Sequence, residues 1–142
     1  MNERPSGLDA LMSTAVVFSR RSTCSRTHVG AVLAKDRRII STGYNGAPPG
    51  LPHCSHESDE PCAISEHAER NAIYFAARHG IPTEGATLVT THMPCYECAK
   101  AIISAGIVRV VWAIPYRLTG GIELLNLANV QCEGYTTFEE IG

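Results

Sequence analysis

A three-layer α/β fold on a five-stranded mixed sheet is what this 142-residue sequence predicts. Three observations carry that expectation. The elements read in the order αββαβαβαβ. The first two strands are separated only by a short charged turn, so they pair as an antiparallel hairpin. Each later strand follows a helix, and such connections make strands parallel through right-handed crossovers. The length, with 44% hydrophobic residues, suits one core, so residues 1–142 are expected to form one domain.

Ser6 can cap a first helix over about 7–20, where Leu8, Leu11, Met12, Ala15, Val16 and Ser19 share one face. His28–Lys35 reads as a strand through Val29, Ala31, Val32 and Leu33, and Arg38–Tyr44 as its partner across the Asp36-Arg37-Arg38 turn. Turn residues from Asn45 to Gly50 end the hairpin, and 46–64 reads as a polar loop long enough to carry function or a metal. A second helix is expected over about Ser65 to His79, with Ala68, Ala72, Ile73, Phe75 and Ala76 apolar, stopped by Gly80 and Pro82. Ala86–His92 is a strand, Cys95–Ala105 a helix ended by Gly106, and Val108–Ile114 a buried strand. Gly120-Gly121 precedes a short helix at about 122–129, and Val130–Tyr135 is a weaker last strand in which Cys132 is a plain strand residue.

The charge balance is near neutral, −2 with a pI of about 6.3, which argues against bulk binding of a nucleic acid polymer. Six of the twelve Lys and Arg fall within residues 20–38, and after Arg117 there are four acids and no base. The basic stretch is either a solvated helix end and hairpin or a site for a small anion such as a nucleotide phosphate. No secretory signal and no membrane-length apolar stretch is visible, and six Cys then read as thiols and metal ligands; the cytoplasm is the expected compartment.

His67-Ala68-Glu69 and Pro94-Cys95-Tyr96-Glu97-Cys98 carry the chemistry. His67, Cys95 and Cys98 supply three zinc ligands, and three protein ligands leave the fourth position open, as a reactive rather than a structural zinc requires. Such a site lowers the pKa of water toward neutrality. Glu69, two residues after the His, is placed to move protons without binding the metal. H-x-E with P-C-x-x-C is the signature of the zinc nucleobase deaminases. Both half-sites are expected at the starts of helices, whose positive ends favour thiolates.

From about Arg21 to Tyr135 the sequence resembles the cytidine and deoxycytidylate deaminase superfamily, and within it the deoxycytidylate (dCMP) deaminases. Besides the two motifs, the resemblance rests on Arg21-Ser22-Thr23-Cys24, Val29-Gly30-Ala31-Val32, Ile39 through Pro48, Leu51-Pro52-His53-Cys54, Asn71-Ala72-Ile73, Glu84 through Leu88, Ala99-Lys100 and Ala105-Gly106-Ile107. It implies the three-layer fold of that superfamily and hydrolysis of dCMP to dUMP and ammonia, supplying dUMP for thymidylate. It also implies that Asn45 hydrogen-bonds the sugar and that Arg26 and Tyr116 contact the phosphate. Arg26 otherwise reads as a surface arginine, and Asn45 as a turn residue tolerant of positive φ. His92-Met93 stands where a small hydroxyl residue is commoner, Leu118 where an Asp is often found, and the insertion between Cys54 and His67 is short.

Bacterial and phage relatives often carry a second, structural zinc. The resemblance implies Cys24, Cys54 and Cys62 as its ligands, with His56 the first choice for the fourth and His53 the alternative; otherwise the three are free thiols. It also implies a homo-oligomer, a hexamer, regulated by dCTP and dTTP with Mg²⁺ at Asn45–Pro52. An apolar face near Ile102, Ile103 and Ile107, larger than one core covers, adds to the expectation of assembly. Rival readings are a deaminase of a modified cytosine nucleotide, a tRNA adenosine deaminase, a nucleoside deaminase and a zinc-stabilised binding module. The acidic C-terminal quarter argues against the tRNA enzyme. Intact Glu69 argues against the binding module, and a His as first ligand against the nucleoside enzyme.

Overall fold

The computed structural model describes residues 4–24, 27–53 and 63–136. Helix α1 (Gly7–Ser19) opens on a capping box: the Ser6 hydroxyl accepts the Asp9 N–H at 3.0 Å, and the Asp9 carboxylate accepts the Ser6 N–H at 3.2 Å. Strands β1 (Gly30–Lys35) and β2 (Arg38–Tyr44) form the antiparallel hairpin. Asp36 and Arg37 between them take φ of 51° and 66°, the backbone that lets a two-residue turn follow the twist of its strands. Then come α2 (Ala68–Arg78), β3 (Thr87–His92), α3 (Tyr96–Ser104), β4 (Arg109–Ile114), α4 (Gly120–Leu127) and β5 (Gln131–Gly134).

The sheet runs β2-β1-β3-β4-β5. Strand β1 is antiparallel to both neighbours, while β3, β4 and β5 are mutually parallel, as the helical crossovers require. Alternate strand residues serve opposite faces. Ala31, Leu33, Leu88 and Val110 pack against Ala68 and Ala72 of α2, Ala99 and Ile102 of α3, and Leu125 of α4. Val32, Ala34, Val89 and Val111 pack against Leu11, Met12 and Ala15 of α1. The three layers are therefore one helix, the sheet, and three helices.

Helix α2 lies close against β2. A Cβ on Gly43 would stand 2.3 Å from the Ala68 carbonyl oxygen and 2.6 Å from the Ala72 nitrogen, so no side chain fits. The Ser41 hydroxyl, two residues earlier, donates to the Ala72 carbonyl at 2.6 Å. These contacts set the height of α2 over the sheet.

Four expectations are corrected. Helix α2 begins at Ala68 rather than Ser65, because Glu66 pairs its backbone with Gly46 and is not free to be helical. Phe75 faces outward, 49% exposed, stacked near His79 rather than in the core. Gly120 and Gly121 lie inside α4 rather than before it. Ile102 and Ile107 are buried and Ile103 is packed partly against the same core, so the expected uncovered apolar face near them does not exist. Among the described residues no helix is long and apolar enough to cross a membrane.

Candidate active site

His67 is the N-cap of α2 and Cys95 the N-cap of α3, both in extended backbone, and Cys98 lies in the first turn of α3. Strand β3 delivers α3 through Met93 and Pro94, and β2 delivers α2 through the pairing of Gly46 with Glu66. The two helix starts meet at the carboxyl ends of β2 and β3, where α/β sheets commonly place ligands. Helix α4 closes the site from beneath: a Cβ on Gly121 would lie 2.6 Å from the Pro94 carbonyl oxygen.

The ligand atoms of His67, Cys95 and Cys98 all lie within 4.8 Å of one another. His67 Nδ1 is 3.5 Å from Cys95 Sγ and 3.3 Å from Cys98 Sγ. Tetrahedral zinc, with bonds of about 2.3 Å to sulfur and 2.0 Å to nitrogen, puts a sulfur–nitrogen edge near 3.5 Å. The donors therefore fit zinc in both kind and spacing. Among the described residues no other group of three metal-binding side chains gathers in this way.

The charges are arranged to hold a cation. The Cys95 thiol is pulled down to about 3, first by its hydrogen bond with Cys98 and then, against burial, by the His67 ring. Cys98 is pushed up, first by that same hydrogen bond, then by burial and by Glu69, with a small opposing pull from Arg70. The pair thus shares one proton, and a metal bound by both sulfurs displaces it. His67 is raised, chiefly by its hydrogen bond to Cys95. Glu69, only 4% exposed, has its carboxyl pushed up to about 7, mainly by burial. A carboxyl that titrates near neutrality is suited both to taking and to giving a proton.

These groups open into a cleft of about 630 Å³ lined by His67, Glu69, Cys95, Asn45, Tyr116 and Cys24. Asn45 is 8% exposed and held from several sides. Its Oδ1 accepts the Val29 N–H at 2.8 Å and its Nδ2 donates to the Thr27 carbonyl at 2.5 Å, which leaves one Nδ2 proton for a ligand. Tyr116 is partly exposed on the loop after β4.

A family model described as the cytidine and deoxycytidylate deaminase zinc-binding region matches residues 5–114. The chain belongs to this family. ComE operon protein 2 of Bacillus subtilis (strain 168) is 43% identical over 119 residues, a match covering 81% of this chain and 63% of that protein. The deoxycytidylate deaminase of Mycobacterium phage D29 is 38% identical over 124 residues, covering 77% of this chain and 95% of that one. Among solved structures, the dCMP deaminase of cyanophage S-TIM5 in complex with dCMP and dUMP superposes with a TM-score of 0.87 at 35% identity, covering 94% of this chain and all of that one. The family's zinc-binding character agrees with the His67, Cys95 and Cys98 geometry, and its fold with the five-stranded sheet.

Of the residues singled out in the sequence, His67, Glu69, Cys95, Cys98, Asn45, Tyr116 and Cys24 come together in or beside the cleft. Arg26, Cys54, His56 and Cys62 lie outside the described residues. Thr27, Ser65, His92, Met93 and Arg117 line the cleft without having been read as site residues. For Arg117 the signal was its place beside Tyr116. For His92 it was the departure from the commoner small hydroxyl residue; its Nδ1 lies 2.7 Å from the Thr91 hydroxyl, which also accepts the Gly30 N–H at 3.1 Å. Burial lowers the His92 pKa and favours a neutral ring against the cleft.

Proposed function

We propose that this chain, as a single zinc-dependent domain over residues 1–142, hydrolyses dCMP to dUMP and ammonia, supplying dUMP for thymidylate. The observation that supports it best is the buried Glu69 carboxyl in the same cleft as a three-ligand zinc group. The dCMP deaminases of the two phages are similar over most of their lengths. Zinc held by His67, Cys95 and Cys98 makes water a nucleophile near neutral pH. Glu69 takes a proton from that water and delivers it to the pyrimidine ring nitrogen. The C–O bond forms at C4; Glu69 then takes the remaining proton of the added hydroxyl and passes it to the amine, so that C4 keeps a carbonyl as the C–N bond breaks and ammonia leaves. Asn45 offers its remaining Nδ2 proton to the sugar, and Arg26 and Tyr116 receive the phosphate.

Ammonia release from dCMP, deoxycytidine, dCTP and an adenosine-containing tRNA loop tests the reading, with dCMP expected to give the highest kcat/KM. The tRNA substrate winning would mean a tRNA adenosine deaminase. Arg26→Ala is expected to weaken dCMP at least about ten-fold and deoxycytidine little, because only the nucleotide makes charge-assisted bonds to the guanidinium. Equal losses on both substrates would remove the phosphate role.

A second, structural zinc on Cys24, Cys54, Cys62 and His56 belongs to the same proposal, as does a hexamer regulated by dCTP and dTTP with Mg²⁺ at Asn45–Pro52. Cys24 supports the second zinc by lying nearly buried at the end of the cleft. Among the described residues Val17, Leu51, Tyr74, Tyr96, Leu118 and Leu127 are large apolar side chains more than half exposed, which supports assembly. Native mass spectrometry reads both together: two zincs per chain and a hexamer mass are expected, and each triphosphate should bind in the presence of Mg²⁺. Cys24→Ser should lose one zinc and melt at a lower temperature while the other zinc stays. A wild-type count of one zinc refutes the second site, and a monomer mass refutes the assembly. Thiolate ligation suits a reducing compartment, so the cytoplasm is the proposed location, to be checked by fractionation.

A further inference from the structure

Glu66 stands immediately before the ligand His67 and takes no part in the chemistry above. Its Oε1 gathers three donors: the His67 backbone N–H at 2.9 Å, Arg70 Nε at 2.8 Å and an Arg70 Nη at 2.6 Å. The Glu66 and Arg70 side chains are only 22% and 21% exposed, so the pair is better shielded from water than an open surface bridge. The Glu66 backbone is fixed too. Its N–H donates to the Gly46 carbonyl at 2.8 Å, and its carbonyl accepts the Gly46 N–H at 3.1 Å. Asn71 Nδ2 spans the same junction, donating to the Tyr44 carbonyl at 2.8 Å. The residue ahead of the metal ligand is therefore tied to the end of β2 on one side and to the first turn of α2 on the other.

We propose that Glu66 is a positioning residue for the metal centre: by holding the His67 backbone and Arg70 on one oxygen, it fixes the His67 ring toward Cys95 and Cys98 and so sets zinc affinity. The proposal rests on the reading of those three residues as zinc ligands. The His67 side chain caps nothing in its own helix; its carbonyl accepts the Asn71 N–H at 2.9 Å, and its N–H is held by this carboxylate. A carboxylate at a helix start is also favoured by the helix dipole. Asn45 is held independently, by Val29, Thr27 and the Ser22 hydroxyl, so losing the Glu66 side chain loosens the metal side of the cleft and leaves the sugar side in place.

The test is zinc competition against a chromophoric chelator, for wild type, Glu66→Ala and Glu66→Gln. Glu66→Ala is expected to weaken zinc about 10- to 100-fold, the range seen when a group that orients a metal ligand is removed. Glu66→Gln keeps an oxygen to accept the His67 N–H and should lose less. At saturating zinc, kcat for dCMP should fall in Glu66→Ala while KM stays within about two-fold, the pattern of a group that acts on the reacting centre rather than on binding. Zinc affinity in Glu66→Ala within about two-fold of wild type overturns the proposal, since that is below the range expected for a ligand-orienting group. So does a rise in KM matching the loss of affinity, together with a lower melting temperature of the metal-free protein in both variants, which would mark general loosening. If Glu66→Ala does not fold, Glu66→Met, which keeps the bulk and removes the acceptor, decides by the same two criteria. The chelator titration uses no substrate, so it separates the two readings. Wild-type zinc binding without ammonia release from dCMP counts against the activity and leaves Glu66 in its role.

Discussion

Glu69→Gln is expected to lose on the order of 10³-fold or more in kcat and to keep near-stoichiometric catalytic zinc, because the amide fills the same space but cannot shuttle a proton. Metal analysis beside the rate measurement checks it. Zinc lost together with activity would make Glu69 a ligand and overturn the assignment of three ligands plus a base. Stability should move the other way. A buried carboxyl raised from 4.5 to about 7 holds its proton more tightly when folded, so the metal-free protein loses stability as pH rises through that window. The Gln variant has no such group. Its metal-free form should therefore melt no lower than wild type at pH 8.

Gly43→Ala is expected to be strongly destabilising. The added carbon would meet backbone on both sides, at Ala68 and Ala72, and backbone cannot swing aside as a side chain can. Overpacking of this kind costs about 3 kcal/mol, or roughly 10 °C of melting temperature for a chain of this size. Activity should fall further than stability explains, because lifting α2 from β2 moves His67 and Glu69 together away from Cys95 and Cys98. A variant melting within about 2 °C of wild type would show that α2 can shift freely, since the overpacking cost would then be absent.

The site was more legible in the sequence than the way it is mounted. His67, Glu69, Cys95 and Cys98 announce themselves because ligand chemistry restricts residue type and helix geometry restricts spacing. The hairpin, the parallel strands and Ser6 as a cap were readable from local pattern for the same reason. The placement of β1 between β2 and β3 was not, because strand order depends on which faces cover which, a property of the whole sheet. The start of α2 was misread as Ser65 because the bridge that holds Glu66 to Gly46 joins residues 20 apart in sequence. Gly120 and Gly121 look like helix breakers locally, yet Gly121 belongs in α4 because only a glycine lets that helix approach the Pro94 turn. Phe75 falls on a spacing that suggests the core but lies on the flank of α2. Thr27 and Ser65 join the cleft only through tertiary packing and carry no local signal.

The order of strands has a bearing on how the metal is acquired. The hairpin and α2 bring one ligand, and β3 with α3 brings two; the halves meet only when residues 31–34 pair with 87–90 across the sheet. That pairing spans more than fifty residues, so its loop-closure entropy must be met before its contacts reward it. A half-formed chain presents an isolated imidazole or an isolated pair of thiols, neither a match for the tetrahedral cage. Metal binding therefore adds its free energy to the finished molecule far more than to any intermediate. Zinc occupancy doubles as a gauge of completed folding, and the cell's supply of the ion acts as a selector for molecules whose sheet has closed.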